Sequence, residues 1–469
     1  MRIYCLFFLL SCTAVATAQS EDRRSLYFVG FSDKLGTPHR TDEPATFLSD
    51  RALGRRRRHD QPVTELDLPV SPRYVKEITD RSIPVWLLSR WMNGAVVAAS
   101  REEVETLAGL EFVDTFFYAA PLQYERDGLL PNIPVLDGPE PVRRQVPVTR
   151  TFYGYAFDNL RILNGDSLHA RGYRGRGMLV AVFDGGFPAV EYPDFIGYDD
   201  AAYVPANFDL VEQDATALDG STHGATVLST MAAHHPFFYI GMAPDARYLL
   251  FKTENGRGEH RMEELNYAIA LELADSAGVD LVNSSLGYTT FSDSSMNYDH
   301  DDLDGLTSPA SIAIDRAFER GMIVVTSGGN NGADEWEKIG IPADARGALS
   351  VGAVDADGER AYFSSRGPTA DGRVKPDVSA PGVNVPAVAA NGIGLTGANG
   401  TSLSSPLVAG LTACLWQAVP EATNQQVLDA IRQTASRAGA PTGDLGHGIP
   451  DFAAAARKLR EWVTGEGSR

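Results

Sequence analysis

Apolar residues fall in uninterrupted runs at several points of the chain, and each run stops at polar or glycine-rich text. Gly177-Met178-Leu179-Val180-Ala181-Val182-Phe183 ends in Asp184-Gly185-Gly186, and Met322-Ile323-Val324-Val325-Thr326 ends in Ser327-Gly328-Gly329-Asn330-Asn331-Gly332. Short continuous runs of this kind predict strands covered on both faces of a parallel sheet. Leu407 to Trp416 is longer and predicts a buried helix, as does the text after Asp219-Gly220-Ser221-Thr222-His223-Gly224-Ala225-Thr226-Val227. Buried strands alternating with helices predict an α/β domain with a mostly parallel central sheet and helices on both faces. The pattern changes nearer the N-terminus. Strands are expected at Ser25 to Phe31 and Val113 to Tyr118, helices at Pro72 to Arg81 and Glu102 to Leu110. Two short strands around Asn93-Gly94, between Val85 and Ala99, are expected to form a hairpin. This predicts a separate small α+β domain.

The expected boundaries follow. Residues 1–18 read as a secretory signal peptide, with an apolar run through Leu10 and small residues through Ala18. Leu9-Leu10-Ser11-Cys12 resembles a lipoprotein cleavage box, so anchoring at Cys12 is the minority alternative to a secreted or periplasmic product. The small domain takes residues 19–123. A proline-rich linker without periodicity takes 124–150, the α/β domain 151–460 and a tail 461–469. The signal run is too short to span a bilayer and no later stretch is long and apolar enough, so no membrane span is expected. Arg55-Arg56-Arg57-Arg58 reads as a solvated basic helix end rather than a processing site, because a cut there would divide the small domain. Arg143-Arg144 and Arg150 in the linker are the better candidates.

Composition adds two constraints. With 41 Lys and Arg against 61 Asp and Glu, the formal charge is −20, which argues against nucleic acid as a partner. Two of the three cysteines fall in the signal segment. That leaves Cys414 as buried filler and no intramolecular disulfide after cleavage.

Candidate chemistry sits where the apolar runs stop. Asp184 ends a central strand, where open α/β sheets place their sites. His223 begins a helix, and Asn330 follows a strand with an amide to donate. Asn399-Gly400-Thr401-Ser402-Leu403-Ser404-Ser405-Pro406 puts Ser402 at a helix N-terminus, which favours developing negative charge. Gly400 allows a tight turn beside the hydroxyl, and Pro406 is expected in the first helical turn. Each motif alone has a plain reading: a turn, a capping histidine, a surface turn, an N-cap serine. Asn399-Gly400-Thr401 also spells a glycosylation sequon, which a nucleophile beside it disfavours. Together, in the order Asp184, His223, Asn330, Ser402, the sites outweigh these readings.

That order, with VFDGGF, THGAT, SGGNNG and NGTSLSSP around it, resembles a subtilisin-like serine protease (subtilase, peptidase family S8) over roughly Tyr153 to Ala455. Gly241-Met242-Ala243-Pro244, Ser285-Leu286-Gly287, Phe363 to Pro368 and Lys375 to Gly382 add to the match. The resemblance implies the subtilisin-like fold and a secreted serine endopeptidase acting on protein or peptide substrates through an acyl-enzyme. Ser402 would be nucleophile, His223 general base, Asp184 its orienter and Asn330 an oxyanion donor. It implies that Ser285, Leu286 and Gly287 form one wall of the pocket for the residue before the scissile bond, and Ser327, Gly328 and Gly329 the other, with a broad preference of apolar bias. Tyr288 to Ser308 is longer than in simple subtilisins and is expected near the cleft. The N-terminal domain resembles the inhibitory propeptide of such zymogens. An inactive subtilase-fold binding protein and a non-proteolytic esterase are the rival readings. Gly400-Thr401-Ser402-Leu403-Ser404 lacks the second glycine of a nucleophile elbow.

No cofactor is expected to be required, and no metal ligand is assigned. Structural calcium occurs in the family. Asp194 stands near one such position, but His234-His235-Pro236-Phe237-Phe238-Tyr239, without carboxylates or amides, replaces a usual calcium loop, and His234-His235 reads as a helix end rather than a metal site. Asp299-His300-Asp301-Asp302-Leu303-Asp304-Gly305 lacks the closing glutamate of an EF-hand, with Ser311 at that place, and reads as a solvated acidic loop.

Overall fold

The computed structural model describes residues 24–123, 145–188, 203–213, 216–389, 391 and 393–465. The expected signal peptide with Cys12, the arginines Arg143 and Arg144, and Asp194 lie outside the described residues.

Seven parallel strands form the main sheet, in the order Val378–Pro381, Ala348–Val354, Ile323–Ser327, Leu281–Ser284, Leu179–Asp184, Arg247–Lys252, Ala206–Asp209. Strand Leu179–Asp184 is continuously apolar because both its faces are covered. Val180 and Val182 join a core with helices His223–Ala232 and Thr401–Ala418, while Leu179, Ala181 and Phe183 join a core with helices Arg261–Ala277 and Pro309–Glu319. The sheet grows from this strand first toward Arg247–Lys252 and then, on the other side, toward Leu281–Ser284. That reversal is the switch point at which open α/β sheets leave a crevice beyond their carboxyl ends. Asp184 is the last residue of its strand and Ser285 the first after the neighbouring one.

The N-terminal domain is a four-stranded antiparallel sheet in the order Val85–Ser89, Gly94–Ala99, Ser25–Phe31, Val113–Pro121. The hairpin has a longer loop than a two-residue turn, since Ser89 pairs with Gly94. Alternation along Ser25–Phe31 separates two cores. Tyr27, Val29 and Phe31 pack with Tyr74, Ile78, Val104 and Leu107 of the domain's own helices. Leu26 and Phe28 face the other way, into the core around helix Arg261–Ala277.

The arginine run departs from expectation. Helix Asp50–Arg58 exists, and Arg57 and Arg58 are exposed, but Arg55 and Arg56 are buried against the main domain. Arg55 donates to Asp275. Arg56 reaches Asp275 at 2.7 Å and Asp67 at 3.1 Å, and Arg90 reaches Asp275 at 2.6 Å. The partner lies some 220 residues further along the chain, so local sequence gives no sign of it. Three smaller differences follow. His234–His235 pairs with Tyr239–Ile240 as a small antiparallel ribbon rather than ending a helix. The last helix, Phe452–Thr464, runs past 460. Helix Thr401–Ala418 starts early enough to put Pro406 in its second turn, not its first.

Among the described residues no helix is long and apolar enough to cross a membrane. Cys414 is free and buried, with its Sγ 3.1 Å from the Met242 carbonyl.

Candidate active site

Asp184 is 1 % exposed, held at the strand end by its own turn: the Gly185 N–H donates to Oδ1 at 2.8 Å. His223 opens helix His223–Ala232 and turns its Nδ1 toward both carboxylate oxygens, each at 2.9 Å. An ionised carboxylate only accepts, so the Nδ1 edge carries the proton and Nε2 keeps its lone pair. Gly224 makes this approach feasible, because a Cβ there would lie 2.8 Å from Asp184 Cβ and 2.4 Å from the Gly186 carbonyl. The loop before the histidine is also tied down. Ser221 N–H donates to the Gly185 carbonyl at 2.9 Å, and Lys252, beside Asp184 in the sheet, holds Asp219 at 2.7 Å. The Asp184 charge raises the His223 pKa above the ordinary imidazole value, with burial opposing.

Ser402 is half-buried at the second position of helix Thr401–Ala418. Asn330 is oriented by Thr401, whose N–H and Oγ1 donate to Oδ1 at 2.9 and 3.0 Å. Its Nδ2 is thereby directed away from those bonds. Gly400, at φ +141°, completes the arrangement. A Cβ there would sit 3.5 Å from Asn330 Nδ2, 3.6 Å from Ser402 Oγ and 3.7 Å from Ser402 N. Two donors and a hydroxyl therefore border one small space, which a side chain at 400 would invade.

His223, Ser285, Leu286 and Gly287 line a common cleft of about 740 Å³. Ser285 is buried and its Oγ donates to the Ser402 carbonyl at 2.9 Å, tying the cleft wall to the serine helix. Ser327 and Gly328 are buried behind the second expected wall, with Ser327 Oγ donating to the Leu286 carbonyl at 3.2 Å, while Gly329 is half-buried and Asn330 exposed. Tyr288 to Ser308 flanks the cleft as expected: Tyr288 OH donates to Glu254 at 2.8 Å and Ser292 N–H to the Glu259 carbonyl at 2.9 Å.

Sequence reasoning missed the acidity of this cleft. Glu254, Glu259 and Glu263 line it and bring carboxylate oxygens within 4.8 Å of one another. Burial, and then the Glu259 charge, push the Glu254 carboxyl up to about 8. The available signal was His260-Arg261-Met262-Glu263, a capping pattern that fixes Glu263 through the His260 N–H at 2.8 Å. A second carboxylate group, Asp209, Glu212 and Asp219, already surrounds the Lys252 ammonium at 2.9, 3.1 and 2.7 Å. The acidic loop at 299–305 spends its carboxylates on turns: Asp299 accepts the Asp301 N–H, Asp302 the Asp299 N–H and Asp304 the Leu306 and Thr307 N–H groups.

Residues 175–450 match the model of the Subtilase family. The chain belongs to the subtilase family. Residues 26–129 of this subtilase match the Peptidase S8 propeptide domain, Bacteroidota, so the N-terminal domain is its propeptide domain. Subtilisin E of Bacillus subtilis (strain 168) is 32% identical over 280 residues, 59% of this chain and 65% of that protein. Subtilisin of Bacillus pumilus is 31% identical over 298 residues, 63% of this chain and 96% of that one. Among solved structures, MycP1 from Mycobacterium smegmatis matches with a TM-score of 0.50 at 23% identity, covering 66% of this chain and 85% of that one. That likeness concerns the fold.

Proposed function

We propose that this subtilase is a secreted serine endopeptidase made as a zymogen, with Ser402, His223 and Asp184 as its catalytic triad. A serine hydroxyl holds its proton at neutral pH and needs a base. In this reading Ser402 Oγ attacks the carbonyl carbon of a peptide bond while His223 Nε2 takes the hydroxyl proton. Asp184 keeps the imidazole in the tautomer that frees Nε2 and stabilises the imidazolium. The carbonyl oxygen, now an anion, moves into the space bordered by Asn330 Nδ2 and Ser402 N–H. Collapse breaks the C–N bond as His223 returns the proton to the leaving amine. Water then attacks the acyl carbonyl carbon as His223 takes its proton. Collapse breaks the C–Oγ bond as His223 hands that proton to Ser402 Oγ, releasing the acid and restoring the neutral pair.

The observation that carries the reading is the carboxylate–imidazole pair at the switch point of the sheet, in one cleft with the wall that anchors Ser402. Ser285, Leu286 and Gly287 would contact the peptide before the scissile bond, with Ser327, Gly328 and Gly329 supporting the opposite wall. Inhibition by the propeptide domain is supported by Gln123, the last described residue of that domain, whose Oε1 accepts from Asn255 Nδ2 at 2.7 Å at the rim of the cleft. Ser402→Ala tests the proposal. Peptide hydrolysis should vanish while the chain stays folded with its propeptide attached. Normal turnover by that variant would remove Ser402 from the mechanism.

A further inference from the structure

Helix Thr401–Ala418 carries Ser402 at its second position and a proline at its sixth. In an α-helix the carbonyl of residue i accepts the N–H of residue i+4. The Ser402 carbonyl therefore faces Pro406, which has no N–H to offer and whose ring crowds that oxygen. Without another donor, the carbonyl attached to the nucleophilic residue would be an unsatisfied acceptor with no fixed direction. Ser285 Oγ donates to it at 2.9 Å. Ser285 is 6 % exposed, so water competes little for the bond. Its hydroxyl is itself oriented, because Asn283 Nδ2 donates to Oγ at 3.2 Å. Asn283 Oδ1 in turn accepts from Ser405 Oγ at 2.8 Å, a second tie between the same strand and the same helix.

We propose that Ser285 is a positioning residue for the nucleophile: its hydroxyl replaces the helical N–H that Pro406 removes and sets the direction in which Ser402 is presented. The role goes beyond lining the pocket, and it rests on Ser402 being the nucleophile. Bonding across from the sheet fixes Ser402 relative to the strand end next to Asp184, whereas an ordinary helical bond would fix it only relative to its own helix.

The test is a double-mutant cycle in enzyme matured from the full-length chain by removal of the propeptide, read as kcat and KM on a peptide substrate. Leaving a buried carbonyl unbonded makes Ser285→Ala lower kcat by about tenfold or more, with KM within about twofold of the parent. Ser285→Thr keeps the hydroxyl and should give a higher kcat than Ser285→Ala, whatever its added methyl does to KM. In the Pro406→Ala background the helix supplies its own N–H, so adding Ser285→Ala should change kcat by less than about threefold, the coupling that such cycles isolate. An equal loss in both backgrounds overturns the proposal, as does a change confined to KM. If Ser285→Ala does not fold, Ser285→Cys, a weak donor of similar size, carries the same cycle. A matured parent, freed of its propeptide and still without hydrolytic activity, would instead refute the assignment of Ser402, and with it the reading on which this role depends.

Discussion

Replacing Asp275 by Asn should loosen the propeptide domain more than any single surface change. The carboxylate is fully buried and accepts from three guanidinium groups of that domain, Arg55, Arg56 and Arg90. Removing one partner of a buried ion pair typically costs about 3–5 kcal/mol, because a desolvated charge is left behind. Here the arginines keep other acceptors: Arg55 the Arg320 carbonyl at 3.0 Å, Arg56 the Asp67 carboxylate, and Arg90 the Glu272 carbonyl at 2.9 Å. The lower end, about 3 kcal/mol, is therefore expected, equivalent to roughly a 150-fold rise in the undocked population. The assay is urea-dependent opening of the full chain in a Ser402→Ala background, which avoids self-cleavage. Asp80→Asn, at an exposed pair with Lys76, serves as the control and should match the parent. A loss below about 1 kcal/mol, the range of solvent-screened pairs, would refute the claim that this cluster anchors the domain.

Three further outcomes are expected. The Asp184 charge raises the His223 pKa, so the base form should be lost on acidification through a value above about 6.5. The same pair then contributes stability that is full below about 6.5 and fades as pH rises through the raised value. Asp184→Asn should move the acid limb of the rate profile down and lower kcat by about 10⁴-fold through the wrong tautomer; an unmoved limb would contradict the pairing. Asn330→Leu should reduce kcat by about 10²–10³-fold with little change in KM, the range already measured for that donor in subtilisin itself, and a loss in KM alone would argue against oxyanion contact. With the Glu254 carboxyl pushed up to about 8, the cleft ionises further above neutral pH. Preference for a Lys or Arg side chain over a neutral one should therefore grow between about pH 7 and 9. A preference flat over that range, measured on paired peptides, would remove these carboxylates from specificity.

Much of the site was legible because its residues stand at element ends, where local sequence is most informative. Asp184 ends an apolar run, His223 opens a helix, and Gly400 and Ser402 mark a helix start. The parallel sheet was readable from the same runs, and the small domain from its short strands and helices and the Asn93-Gly94 turn. What could not be read depends on residues distant in sequence. The burial of Arg55 and Arg56 requires Asp275, and nothing near the arginine run distinguishes a docked guanidinium from a solvated one. The acidic cleft forms only when Glu254, Glu259 and Glu263 converge from a turn and a helix start. Pro406 was placed one turn too early because the helix begins at Thr401, and with that displacement the role of the Ser285 hydroxyl was hidden.

The central claim is that Asp184, His223 and Ser402 act as one unit, and covalent labelling with a fluorophosphonate tests it most directly. The chain freed of its propeptide by an added protease, with mass mapping of the modified peptide, should carry one label on Ser402, and His223→Ala treated in the same way should suppress labelling while leaving the fold intact. Label on another residue, or labelling of Ser402 undiminished by His223→Ala, would contradict the account.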